Sequence, residues 1–155
     1  MKRNKKTMTA GVFWHGALLF IIVIIFGNSL MKPEHSYSSS AAVTQMITSA
    51  QGEQALLWEY IFRKFAHVVE FTTLGCVSIF VKTFYFNIGK RINTLASWFF
   101  LLLVGVADEW LQMFSGRSSA VSDVVLDFVS GVAGMAIAIG IIKLKKALNK
   151  RRNLL

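Results

Sequence analysis

Apolar residues run almost unbroken through four stretches of this chain, and polar residues gather between them. The stretches cover about residues 11–30, 65–86, 92–114 and 121–142. A helix needs roughly 20 mostly apolar residues, within about 17–25, to cross the hydrocarbon core of a bilayer. Each stretch meets that length. The pattern therefore predicts an all-α, polytopic membrane protein with four transmembrane helices. The first stretch holds the run from Leu18 to Phe26, while His67 and Glu70 interrupt the second.

Between the first two spans, residues 31–64 form a long connection. Pro33 stops the first helix, and Ser36, Ser38, Ser39 and Ser40 read as loop. From Glu53 to Lys64, Leu56, Leu57, Tyr60 and Ile61 return at helical spacing with Trp58 beside them. Two readings stay open for this segment: a short interfacial helix, or an extension of the second span. Residues 1–10 and 143–155 read as basic tails. A cleaved leader is a rival reading of the first span. Its apolar run is longer than a usual leader core and a poor cleavage site follows it, so a retained helix is expected.

Composition supports a membrane environment. The chain is 54% hydrophobic and only 16% charged, whereas a soluble domain carries about 25% charged residues. The net charge of +9 is not spread as a nucleic-acid surface would be; it sits in short clusters between apolar runs. Thirteen of the 17 Lys and Arg lie on one side of the four spans: Lys2, Arg3, Lys5, Lys6, Lys82, Lys90, Arg91, Lys143, Lys145, Lys146, Lys150, Arg151 and Arg152. Basic residues in short flanking segments mark the cytoplasmic side. Both termini are therefore expected in the cytoplasm, with the protein in a bacterial plasma membrane.

The acidic residues go the other way. All 8, Glu34, Glu53, Glu59, Glu70, Asp108, Glu109, Asp123 and Asp127, fall in the outer half. Lys64, His67 and Glu70 recur every third residue and so share one side of the second helix. Asp108 and Gln112 are one turn apart on the third, with Glu109 beside them, and Asp123 and Asp127 are one turn apart on the fourth. Three helices thus deliver ionisable groups to one layer of the outer leaflet. Each would cost about 2.5–3.5 kcal/mol at mid-bilayer facing lipid, so they turn inward, pair or meet water. Such groups point to function by default; the structural alternative is a network neutralised by Lys64, His67 and Arg117. In the turn after the third span, Gly116 permits a tight bend. Arg117 suits a phosphate, or equally an internal carboxylate such as Asp123 or Glu109.

Other polar or small residues read as packing. Ser130, Gly134 and Ala138 form a stripe that lets helices approach closely. Cys76, the one cysteine, reads as a small core residue. His15 is expected to be buried and satisfied. Trp14, Trp58, Trp98 and Trp110 read as interfacial anchors.

Taken together, these residues resemble the VanZ-like family of bacterial membrane proteins. The likeness runs from about Arg63 to Ile142. It lies in Lys64-Phe65-Ala66-His67-Val68-Val69-Glu70-Phe71, in Asp108-Glu109-Trp110-Leu111-Gln112 with Gly116-Arg117, and in Asp123, Asp127 and Gly134. Phe71 stands where the family commonly has Tyr, Asp127 where it has Asn, and Ser130 where it has Gly. The resemblance implies a cell-envelope role, since the named member is associated with resistance to teicoplanin-type antibiotics.

Three functions are expected to compete. The first is binding of an anionic head group, from a lipid-linked wall precursor or a phospholipid, at the outer cluster of Lys64, His67, Glu70, Asp108, Glu109, Gln112, Arg117, Asp123 and Asp127. The second is acid–base or metal-assisted chemistry on a lipid at that cluster, with His67 or Glu70 as general acid or base. The third is a structural or transport-associated subunit, although four helices without an inverted repeat are few for a transporter. Membrane lipids are the expected partners. No nucleic acid, cofactor or known metal-binding motif is implied.

Overall fold

The computed structural model describes residues 5–31, 53–85, 90–116 and 120–153. They form four helices: α1 Lys5–Leu30, α2 Glu53–Tyr85, α3 Lys90–Phe114 and α4 Val121–Arg152. All four are long and apolar enough to cross a membrane. Pro33 and the serine-rich part of the long connection lie outside the described residues.

The helices outrun the predicted spans. α2 has 33 residues, about 50 Å at 1.5 Å per residue, against a hydrocarbon core of about 30 Å. It runs unbroken from Glu53, so the segment from Glu53 to Lys64 is an extension of this helix and not a separate element. Glu53 in the first turn of α2 and Lys82 in its last each match the sign of the helix dipole. α4 likewise continues ten residues past the expected end of its span and finishes with Lys150, Arg151 and Arg152 in its last turn, again the favoured sign.

Helices consecutive in the chain run antiparallel, so α2 and α4 run parallel to each other, as do α1 and α3. At one end, Asn28 of α1 bonds Glu70 of α2 and Glu109 of α3 bonds the start of α4. At the other end, Trp14 of α1 stacks on Phe80 of α2 with centroids 4.6 Å apart. A core of Ile25, Phe71, Leu74, Ile79, Leu101, Val104, Met135 and Ala138 fills the middle. Phe71 is fully buried in it.

α2 and α4 touch backbone to backbone. A Cβ placed on Gly75 would overlap the Gly131 carbonyl, and one on Gly134 would overlap the Thr72 carbonyl. Two cross-helix hydrogen bonds exploit this approach: the Thr72 hydroxyl donates to the Ser130 carbonyl at 3.3 Å and the Cys76 thiol to the Gly134 carbonyl at 3.0 Å. The Ser130, Gly134 and Ala138 stripe, buried throughout, is thus a packing surface, as its spacing predicts. Around the bundle, Phe20, Val23, Phe99, Leu103, Val106, Val125 and Val129 remain exposed. Such a surface is a liability in water and is favourable against lipid tails.

Candidate functional site

At the end of the bundle where α1 finishes and α4 begins, the apolar core gives way to a polar layer supplied by all four helices. The local reason is register. One turn of helix separates Asp108 from Gln112 and Asp123 from Asp127, so each pair shares a face, and the up-and-down packing brings both faces to the level of His67 and Glu70.

Asp108 is the best-held group in the layer and is fully buried. The Ser29 hydroxyl of α1 donates to its Oδ1, and the Gln112 amide donates to its Oδ2 at 2.8 Å. The same Gln112 amide lies 3.4 Å from Glu109 Oε1. Glu109 Oε2 accepts the Ala120 backbone N–H at 2.9 Å. Ala120 is the residue that opens α4 and it has no side-chain cap of its own, so Glu109 reaches across from α3 to satisfy that end, with the charge the helix dipole favours. Glu70 Oε1 accepts the Asn28 amide at 2.5 Å. Lys64 forms an ion pair with Asp123, both partly exposed, and its ammonium sits 5.4 Å from the Tyr60 ring centre.

His67 and Asp127 are arranged differently. His67 Nδ1 lies 3.7 Å from Asp108 Oδ2 and 3.5 Å from Asp127 Oδ1. Asp127 is fully buried. Among the described residues, neither of its carboxylate oxygens, nor His67 Nδ1, makes a hydrogen bond. Leaving one buried polar group unsatisfied costs about 1–3 kcal/mol, more when it is charged.

The layer gathers eight of the nine residues that the sequence singled out; Arg117 lies outside the described residues. The turn leading toward it does have the expected character, since Gly116 ends α3 at φ 78°, the left-handed conformation suited to glycine. Sequence reasoning missed Asn28 and Ser29. The signal was an adjacent polar pair at the outer end of an otherwise apolar run. His15 is satisfied through a 3.0 Å hydrogen bond between its Nδ1 and the Gly11 carbonyl, but it is exposed instead of buried.

The VanZ/LLP1 family model matches residues 14–144, so the match takes in most of every helix and the whole polar layer. The chain belongs to the VanZ/LLP1 family. No curated protein and no solved structure matches it. Of the VanZ-like residues quoted from the sequence, Lys64, His67, Glu70, Asp108, Glu109, Gln112, Asp123 and Asp127 are the ones this layer brings together. Phe71, where a tyrosine is common among VanZ-like proteins, packs in the apolar core directly beneath it.

Proposed function

We propose that this VanZ-like protein engages an anionic lipid head group, of a lipid-linked wall precursor or a phospholipid, at the outer leaflet of the bacterial plasma membrane. The observation that carries this reading is the polar layer itself. Three helices bring ionisable side chains to one depth, near one end of the bundle, α1 adds Asn28 and Ser29, and two of the carboxylates are fully buried. A membrane protein retains such groups at a cost of several kcal/mol each, and a binding site is the use that accounts for them. The layer lies where lipid head groups begin if the basic termini are cytoplasmic. Its position also suits an effect on glycopeptide susceptibility, through access to the wall precursor.

A second reading has one observation in its favour. The unsatisfied pair of His67 and Asp127, next to Asp108, has the composition of a reacting site, with His67 as general base. In that case the bound lipid is converted as well as held.

The test uses the purified chain in phosphatidylcholine nanodiscs, titrated with phosphatidylglycerol or with a lipid-linked pyrophosphate. Saturable binding that weakens in Lys64→Ala and His67→Ala, with both variants folded, is the expected result. Binding that both variants retain would refute the assignment. Appearance of a cleaved or transferred product would decide for the enzymatic reading.

A further inference from the structure

We propose that His67, Asp108 and Asp127 bind a divalent transition-metal cation, Zn²⁺ or Mn²⁺, at the floor of the polar layer. The three residues come from α2, α3 and α4. Each offers one ligand atom, and these atoms all lie within 4.8 Å of one another.

Distances supply the first argument. His67 Nδ1 stands 3.7 Å from Asp108 Oδ2 and 3.5 Å from Asp127 Oδ1. Good hydrogen bonds between such atoms are shorter, about 2.7–3.2 Å. Ligands about 2.0–2.2 Å from a tetrahedral ion stand roughly 3.3–3.6 Å from each other. The 3.5 Å separation falls within that range and the 3.7 Å one just above it, and both are too long for a good shared proton.

The second argument is independent of the first. Asp127 is fully buried, and neither of its oxygens has a hydrogen-bond donor among the described residues. The unsatisfied His67 Nδ1 is the atom it faces. The rival arrangement, an imidazolium between two carboxylates, is stable in a low-dielectric interior only with good hydrogen bonds, and Nδ1 makes none. A divalent cation satisfies all three groups at once. Two carboxylates, a neutral imidazole and a 2+ ion also sum to zero charge, which suits a site within a membrane span.

Asp108 shows the support expected of a ligand. Ser29 and Gln112 hold its two oxygens, as the outer shell of a metal site orients carboxylates. The imidazole argues against Ca²⁺ and Mg²⁺, and the chain's one thiol, Cys76, is bonded to the Gly134 carbonyl instead. With three protein ligands, a fourth position stays open for water or a phosphate oxygen. The His67 side chain, 18% exposed, marks the way in. The ion-binding site stands apart from the head-group reading; it rests on that reading only for the identity of the fourth ligand. There it answers a difficulty, because a layer rich in carboxylates repels an anion until a cation reverses its local charge.

The experiment uses the full chain in detergent, with its purification tag removed, stripped by chelator and titrated with Zn²⁺, Mn²⁺ and Co²⁺. About one ion per chain is expected, with ligand-field absorption from Co²⁺ and imidazole nitrogen coupling in the pulsed magnetic resonance of bound Mn²⁺. Asp127→Asn and His67→Gln are each expected to weaken binding by at least about 10–100-fold, while His15→Gln does not. A wild-type chain that binds none of the three ions, or binds Mn²⁺ without nitrogen coupling, overturns the proposal whether or not the variants fold. So do folded Asp127→Asn and His67→Gln chains of unchanged affinity. Nanodiscs of phosphatidylcholine and phosphatidylglycerol separate the two readings. An ion bound without head-group binding supports the metal site and retires the head-group reading. Head-group binding in chelator, by a chain that takes up none of the three ions when they are returned, does the reverse.

Discussion

Ser29 shows how much one side chain contributes to this layer. It is 2% exposed and its hydroxyl meets a carboxylate that is itself fully buried. Ser29→Ala removes that donor and leaves Asp108 Oδ1 buried without it. The expected loss is about 1–3 kcal/mol of stability, read as a lower thermal midpoint in detergent. In an Asp108→Leu background the same serine change costs much less, because the acceptor is gone; equal costs in both backgrounds would show that the two groups do not interact. Glu109 offers a parallel case. Glu109→Gln keeps an acceptor for the Ala120 N–H but loses the charge that favours the α4 terminus. Glu109→Ala loses both and is expected to destabilise more, by about 0.5–2 kcal/mol in all, the range of a lost helix cap. Of these contacts, the sequence made the carboxylates visible through their rarity in apolar runs. It did not reveal their donors, because a serine and an asparagine at a helix end are unremarkable until another helix places an acid against them.

Among the helices, the contact between α2 and α4 is the one that sets the rest. It depends on glycines at the crossing, and the substitutions there sort sharply. Gly75→Ala drives a methyl into the Gly131 carbonyl, and Gly134→Ala drives one into the Thr72 carbonyl. Both are expected to separate the helices and to cost about 1–3 kcal/mol or more, as overpacking does. Gly140, on the same α4, has no atom within 4 Å of its would-be Cβ. Gly140→Ala is therefore expected to be neutral or stabilising by up to about 1 kcal/mol, from helix propensity. Thermal unfolding of the three variants in detergent, followed by circular dichroism, checks the order; a Gly140→Ala as damaging as Gly134→Ala would contradict it. The small-residue stripe on α4 was legible in the sequence. Its partner on α2 was not, since Thr72, Gly75 and Cys76 lie within a stretch whose apolar character masks the face they share.

Taken as a whole, the bundle has one polar end and an apolar flank, and its function depends on which way that end faces. The distribution of Lys and Arg predicts that it faces outward. In a Cys76→Ser background, a single cysteine at position 120 is expected to react with an impermeant maleimide in intact cells. One at position 146 is expected to react only after lysis. The opposite pattern would place the polar layer at the cytoplasmic surface and remove the head-group reading with it.

The sequence by itself determined that there are four helices, roughly where they cross, and which carboxylates stand out of place. Those properties follow from composition along a line, because a bilayer tests each segment separately for apolar length. It also carried the family resemblance, since the spacing of Lys64, His67 and Glu70 is local. Tertiary structure alone decided that His67, Asp108 and Asp127 meet, that Lys64 is committed to Asp123, and that α1 contributes Asn28 and Ser29. These facts depend on the rotation and depth of helices far apart in the chain. Rotation and depth are set by backbone contact at Gly75, Gly131 and Gly134, which no periodicity within a single helix can express.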